Sequence, residues 1–157
     1  MLRALWPFVV GSVALGLDAY VIAGLLPVIA SDLGTSEAIV GLGVTAFTGA
    51  YAASGPLLSG SAGIHAQRSL FISILMFSLA NIATAMSPSA LVFIGTRVVA
   101  GAAAGVYSPL SSAVAAATVS AEQKGRALSL VLAGLALGTV LGVPVGLVVA
   151  DIWGWRS

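Results

Sequence analysis

Two ionisable side chains lie inside long apolar runs, and they are the residues with the most chemistry to offer. Asp18 sits within WPFVVGSVALGLDAYVIAGLLPVIA, and Arg97 within ALVFIGTRVVAGAAAGVYSPLSSAVAAA. A charge near the centre of a bilayer costs at least ~2.5 kcal/mol on insertion scales, so such residues usually face a protein interior or an aqueous cavity. Asp18 is about equally far from both ends of its run, and its short side chain cannot reach the interface. It either handles a proton or substrate in a cavity or plays a purely structural hydrogen-bonding role. Arg97 stands about seven residues, roughly 10 Å of helical rise, from the nearer end of its run. It either points inward onto the same path or snorkels its long stem to the interface.

Other chemistries find little support. With no cysteine there is no disulfide framework, thiolate nucleophile or thiolate metal site. Ser61 and His65 lie four residues apart, but no H-E-x-x-H or other catalytic pattern accompanies them, so no catalysis is expected. A lone His65 cannot build a metal site, and no G-x-x-x-x-G-K-[ST] loop is present, so no cofactor is expected. There is no basic patch to bind nucleic acid.

These residues have to be positioned by elements that live in lipid. Of 157 residues, 59% are apolar and 7% charged, and the mean hydropathy is +1.12. A soluble domain carries about 25% charged residues, and one this small could not bury so much apolar surface. The expected partner is a lipid bilayer. Five segments reach the ~20 residues that a spanning helix needs. They run from about Leu5 to Ala30, Ile39 to Ala62, Leu70 to Met86, Ala90 to Val119 and Ala127 to Ala150. The links SDLGTSE, GIHAQR, SPS and SAEQKGR are short, so successive helices are antiparallel neighbours. The first segment is read as a retained helix and not a signal peptide, because Asp18 breaks the run and no A-x-A cleavage pattern follows.

Orientation follows from Lys and Arg placement. With the N-terminus cytoplasmic, the inner side holds Arg3, Arg68, Lys124 and Arg126, and the outer side only Arg156. Trp6 then suits the inner interface, and Trp153 and Trp155 the outer one.

Small residues recur with helical spacing. Gly134, Gly138, Gly142 and Gly146 stand every four residues, with Pro144 among them. That spacing lines one helical face, which serves close helix packing or, with the proline bend, a moving interface. Arg97, Gly101, Gly105 and Pro109 form a similar series, which argues that Arg97 points into the protein. A faint echo links GLLP of the first segment to VYSP of the fourth, and GPLLSG of the second to GVPVG of the fifth. Helices one and four, and two and five, would correspond in a three-plus-three repeat, a common transporter plan.

These stretches carry a resemblance. LDAYVIAGLLPVIASDLGTSEAIVGLGVTAF, YAASGPLLSG, FIGTRVVAGAAAGVYSP and GLALGTVLGVPVG followed by WGWRS resemble the major facilitator superfamily, particularly its twelve-helix drug/proton antiporters and sugar-efflux permeases. Arg97 and Gly101 match the fourth-helix arginine motif. Gly134, Gly138, Gly142, Pro144 and Gly146 match the fifth-helix antiporter motif, which tends to mark exporters. The loop after the second helix departs from the family pattern. SGSAGIHAQR stands where G-x-L-A-D-R-x-G-R-K is usual, with Gly63 and Ile64 replacing the acid and arginine of a charge-based inner lock.

The resemblance implies an all-α membrane protein of five transmembrane helices, an incomplete N-terminal six-helix half of a major facilitator fold. It implies the N-terminal part of a proton-coupled exporter of drugs or other small molecules in the cell membrane. Asp18 and Arg97 are the proton-coupling or substrate-path candidates, and the fifth-helix glycines with Pro144 the conformational-hinge candidates. The expected partners are substrate, proton and the remaining helices, and the chain alone is not expected to transport. The alternative is a truncated, non-transporting membrane protein or helical assembly module.

Overall fold

In lipid every backbone N–H and C=O must be bonded within the segment, so long apolar runs can only be helices. The structure, a computed structural model, describes residues 2–62 and 65–156. It contains five long helices: α1 (Leu2–Asp32), α2 (Glu37–Ala62), α3 (Ala66–Ala85), α4 (Ala90–Ala117) and α5 (Lys124–Trp153). All five are long and apolar enough to cross a membrane. A short 3₁₀ turn, Ala121–Gln123, precedes α5. Prolines 7, 27, 56, 109 and 144 all lie inside helices, as membrane spans tolerate.

The turns use ordinary chemistry. Gly34, at φ +61°, ends α1 in the left-handed region that favours glycine. Ser89 caps α4 by accepting a hydrogen bond from the Val92 amide.

Two helix pairs approach most closely, α1 with α5 and α2 with α4, while α3 packs on α4. Both close pairs are built on glycine. A Cβ at Gly138 would collide with the Val13 carbonyl and stand 2.8 Å from the Leu17 amide nitrogen. One at Gly134 would stand 2.8 Å from the Val9 carbonyl, and one at Gly142 2.9 Å from the Leu17 carbonyl. The register therefore advances by four on both helices, the pattern of small-residue packing in membranes. On the other side, Gly101 and Gly105 of α4 meet the Phe47 and Tyr51 carbonyls of α2 in the same way. The two close pairs exchange under the one-four, two-five echo. The glycines do not follow it fully, because α5 supplies the main stripe in one pair and α4 in the other.

Neither proline shares its glycine face. Gly134, Gly138, Gly142 and Gly146 are all buried, but Pro144 is exposed, and Pro109 is exposed where Gly101 and Gly105 are buried. Each step of four residues turns the helix by about 40°, so three steps carry Pro109 well away from Arg97. The exposed side chains are largely apolar, among them Leu57, Leu91 and Val140, as a lipid-facing surface requires. Trp6 and Trp153 are exposed near opposite ends of the bundle, whereas Trp155 is only partly exposed and packs edge-on to Phe93 with ring centroids 6.4 Å apart.

Candidate functional site

Asp18 lies midway along α1 on the buried stripe of Leu15, Ile22, Leu25 and Ile29. That stripe faces α4, where Arg97 stands between buried Phe93 and Ala100. The two residues, 79 apart in sequence, form an ion pair. Arg97 Nη1 donates to both carboxylate oxygens of Asp18, at 2.8 and 3.0 Å, and Nη2 donates to the Asp18 main-chain carbonyl at 3.3 Å. The Arg97 side chain is 1% exposed and that of Asp18 12%. Arg97 does not snorkel; it is the largest fully buried side chain among the described residues.

Two residues that the sequence reading passed over complete the site. Asn81 of α3 accepts a hydrogen bond from Arg97 Nη1 through Oδ1 at 3.3 Å, while its own Nδ2 donates to the Phe77 carbonyl at 3.1 Å. The Arg97 guanidinium also lies 4.4 Å from the centre of the Phe47 ring, from α2, a cation–π contact. One guanidinium thus joins α1, α2 and α3 to its own helix. Beside it, Thr84 and Thr96 hydrogen-bond at 2.8 Å between α3 and α4. Asn81 carried a usable signal, since it is the only amide in the apolar run of α3. Phe47 carried none, because an aromatic in a span is ordinary.

Arg97 Nε is buried without a hydrogen-bond partner. The buried cation is therefore held by one carboxylate, two neutral oxygens and a ring, and among the described residues the carboxylate is the only counter-charge in contact with it.

Asp18 borders two cavities. One, of about 190 Å³, rises from Asp18 and Asn81 past Thr84 to Trp155, and the other, of about 350 Å³, lies between α1, α3 and α5. A third cleft, of about 370 Å³, opens between α1, α2 and α5 beside Tyr20, Phe47, Thr48, Tyr51 and Thr139. Phe47 is shared: its ring contacts Arg97 and also lines this cleft.

Gly63 and Ile64 lie outside the described residues, as do the side chains of Ser59 to Ala62, so the departed inner-lock motif and Ser61 are not placed. His65 is exposed at the start of α3.

Five apolar spans around a buried ion pair flanked by cavities define a multi-pass membrane protein organised like a transporter. The chain belongs to the Major Facilitator Superfamily, a family of transporters and not of enzymes, whose model matches residues 8–157. It is 36% identical over 145 residues to the "Chloramphenicol resistance protein" of Streptomyces lividans, covering 92% of this chain and 37% of that one. It is 30% identical to the "Multidrug resistance protein B homolog" of Mycobacterium tuberculosis, over 99% of this chain and 29% of the relative. To the "Inner membrane transport protein YdhP" of Escherichia coli it is 28% identical, over 94% and 38% respectively. The chain thus spans well under half the length of these curated relatives.

Proposed function

We propose that these five helices form the N-terminal part of a proton-coupled exporter of drugs or other small molecules. Asp18 is the group that takes up and releases the proton, and Arg97 is the cation that responds. The observation that carries this reading is the Asp18–Arg97 pair: a titratable acid at mid-span, 2.8 Å from a cation that is 1% exposed, with cavities against it. Protonating Asp18 weakens the Nη1 bonds and leaves Arg97 to Asn81, the Asp18 carbonyl and the Phe47 ring. Because Arg97 joins four helices, that change reaches all of them. A proton moving inward down a potential of 100 mV releases about 2.3 kcal/mol to drive exchange.

The aromatic and hydroxyl-lined cleft is the wall offered to substrate, and Phe47 is the element common to it and the ion pair. At Gly134, Gly138 and Gly142 the nearest α1 atoms are backbone, with the Val21 side chain meeting Gly146 beyond them, so much of that interface can slide with few side chains in the way, and Pro144 supplies a break in the hydrogen-bond ladder. The N-terminus lies in the cytoplasm and the bundle sits in the cell membrane, with further helices completing the path. The likeness to a chloramphenicol resistance protein makes chloramphenicol the first compound to try.

The test is efflux of chloramphenicol from cells expressing a complete frame that contains this chain. Asp18→Asn, which keeps the shape but cannot ionise, is expected to abolish export driven by a proton gradient while leaving membrane insertion intact. Proton-driven export at parental rate in Asp18→Asn would refute the assignment. For orientation, cysteines at Ala66 and Ala121 are expected to label from the cytoplasmic side and those at Thr35 and Ser89 from outside. The reverse pattern would invert the topology.

A further inference from the structure

The segment after α5 builds more than an exit. Gly154, at φ +86°, adopts a conformation that L side chains rarely reach, and turns the chain back over the bundle. Trp155 then lies against Phe93, with its indole beside the Asp32 carboxylate. Arg156 fastens it there. Its Nε and Nη2 donate to Asp32 Oδ2 at 3.1 and 2.6 Å, at the end of α1. Its Nη1 donates to the Ala85 and Ser87 carbonyls at 2.6 and 3.0 Å, where α3 ends. The guanidinium also lies 4.3 Å from the centre of the Trp155 ring. All three guanidinium nitrogens are engaged, on two different helix ends.

What lies beneath gives the arrangement a purpose. The cavity of about 190 Å³ that begins at Asp18 and Asn81 ends against Gly154 and Trp155. From Asp18 to Leu25 it follows two turns of α1, roughly 10 Å by helical rise. A structural staple could sit anywhere on the bundle end. This one places a large ring at the mouth of the cavity that holds the acid.

We infer that Trp155 and Arg156 form a latch over the outer end of the Asp18 cavity. Trp155 is the stopper, and Arg156 is a positioning residue that holds it. With the latch closed, Trp155 narrows the route from that face to Asp18 through this cavity. Release of Arg156 from Asp32 and from the two carbonyls frees Trp155 and opens the cavity. The use of this access in proton exchange rests on the proposed role of Asp18, but the access itself does not.

The chain has no cysteine, so a single one can report access. Ile22→Cys is placed in the cavity wall, and Ala19→Cys on the same helix faces the separate cleft between α1, α2 and α5. A charged, membrane-impermeant thiol reagent is applied to the face bearing Arg156, in membranes carrying the chain or a longer frame that contains it. Trp155→Ala and Arg156→Ala are expected to raise the labelling rate at Ile22→Cys by about fivefold to tenfold. The half-exposed pair with Asp32 contributes little of this and the carbonyl hydrogen bonds more. Trp155→Phe, which keeps a ring at the mouth, is expected to restore slow labelling, and Arg156→Lys to give an intermediate rate. Labelling at Ala19→Cys stays unchanged in all of them. No change at Ile22→Cys in Trp155→Ala and Arg156→Ala, or an equal rise at both reporters, would overturn the latch. Labelling requires no transport, so this outcome is separate from the fate of export in Asp18→Asn.

Discussion

Removing the Asp18 carboxylate strands a cation, and the size of the penalty can be worked from the contacts. In Asp18→Ala the Arg97 guanidinium, 1% exposed, keeps only the Asn81 oxygen at 3.3 Å, a main-chain carbonyl at 3.3 Å and the Phe47 ring. Breaking a buried pair from one side typically costs ~3–5 kcal/mol, because the other charge stays buried and uncompensated. Asp18→Asn retains one acceptor oxygen, so its cost is nearer the ~1.5–3 kcal/mol of a charged hydrogen bond. Arg97→Ala leaves Asp18, which is 12% exposed and borders two cavities, so the stranded carboxylate is the less costly of the two. Once Arg97 is alanine, Asp18→Ala no longer strands anything. The double-mutant cycle should therefore return a coupling energy of ~2 kcal/mol, toward the upper part of the range for residues in contact. The assay is reversible unfolding in mixed micelles, titrating in anionic detergent and following helix content by circular dichroism for the parent, both single variants and the double. Additivity within ~0.5 kcal/mol would show that the pair is not made in the folded protein. The switch proposed for Asp18 would fall with it.

The remaining expectations use the same unfolding measurement. Gly138→Ala places a methyl against the Val13 carbonyl and should lower stability markedly, whereas Gly49→Ala and Gly95→Ala, with nothing within 4 Å, should be neutral or gain up to ~1 kcal/mol. Equal effects at all these glycines would remove the case for backbone contact between α1 and α5. Asn81→Ala should cost about 1 kcal/mol in the parent and less in an Arg97→Ala background, since its Oδ1 bond is then already lost. A cost that is the same in both backgrounds would mean that Asn81 acts through the Phe77 carbonyl alone.

Much of the candidate site was legible because its signals are local. A charge in an apolar run is visible without a partner, and Asp18 and Arg97 are both found where that test places them. The four-residue glycine series of α5 is likewise visible in the chain, and all four of its members are buried. Asn81 could have been found by the charge test relaxed to any strongly polar side chain. Phe47 could not, because its role comes from the guanidinium placed over it by another helix.

Composition and span length set the solvent of this protein and the elements that solvent allows. A chain that is 59% apolar and 7% charged, with spans of bilayer length, has to be a bundle of helices, since lipid leaves the backbone no other partners. Which side chains meet depends on how the helices pack. Asp18 and Arg97 pair across 79 residues because α1 and α4 pack with those positions at one level. Pro109 leaves its glycine face because a four-residue step drifts round a 3.6-residue helix, whereas Pro144 stands two residues from both Gly142 and Gly146, about 200° round the helix and so on the opposite side. Trp155 and Arg156 read as an interfacial aromatic and an outer charge. They became a clasp because the ends of α1 and α3 stand close enough for one guanidinium to bind both.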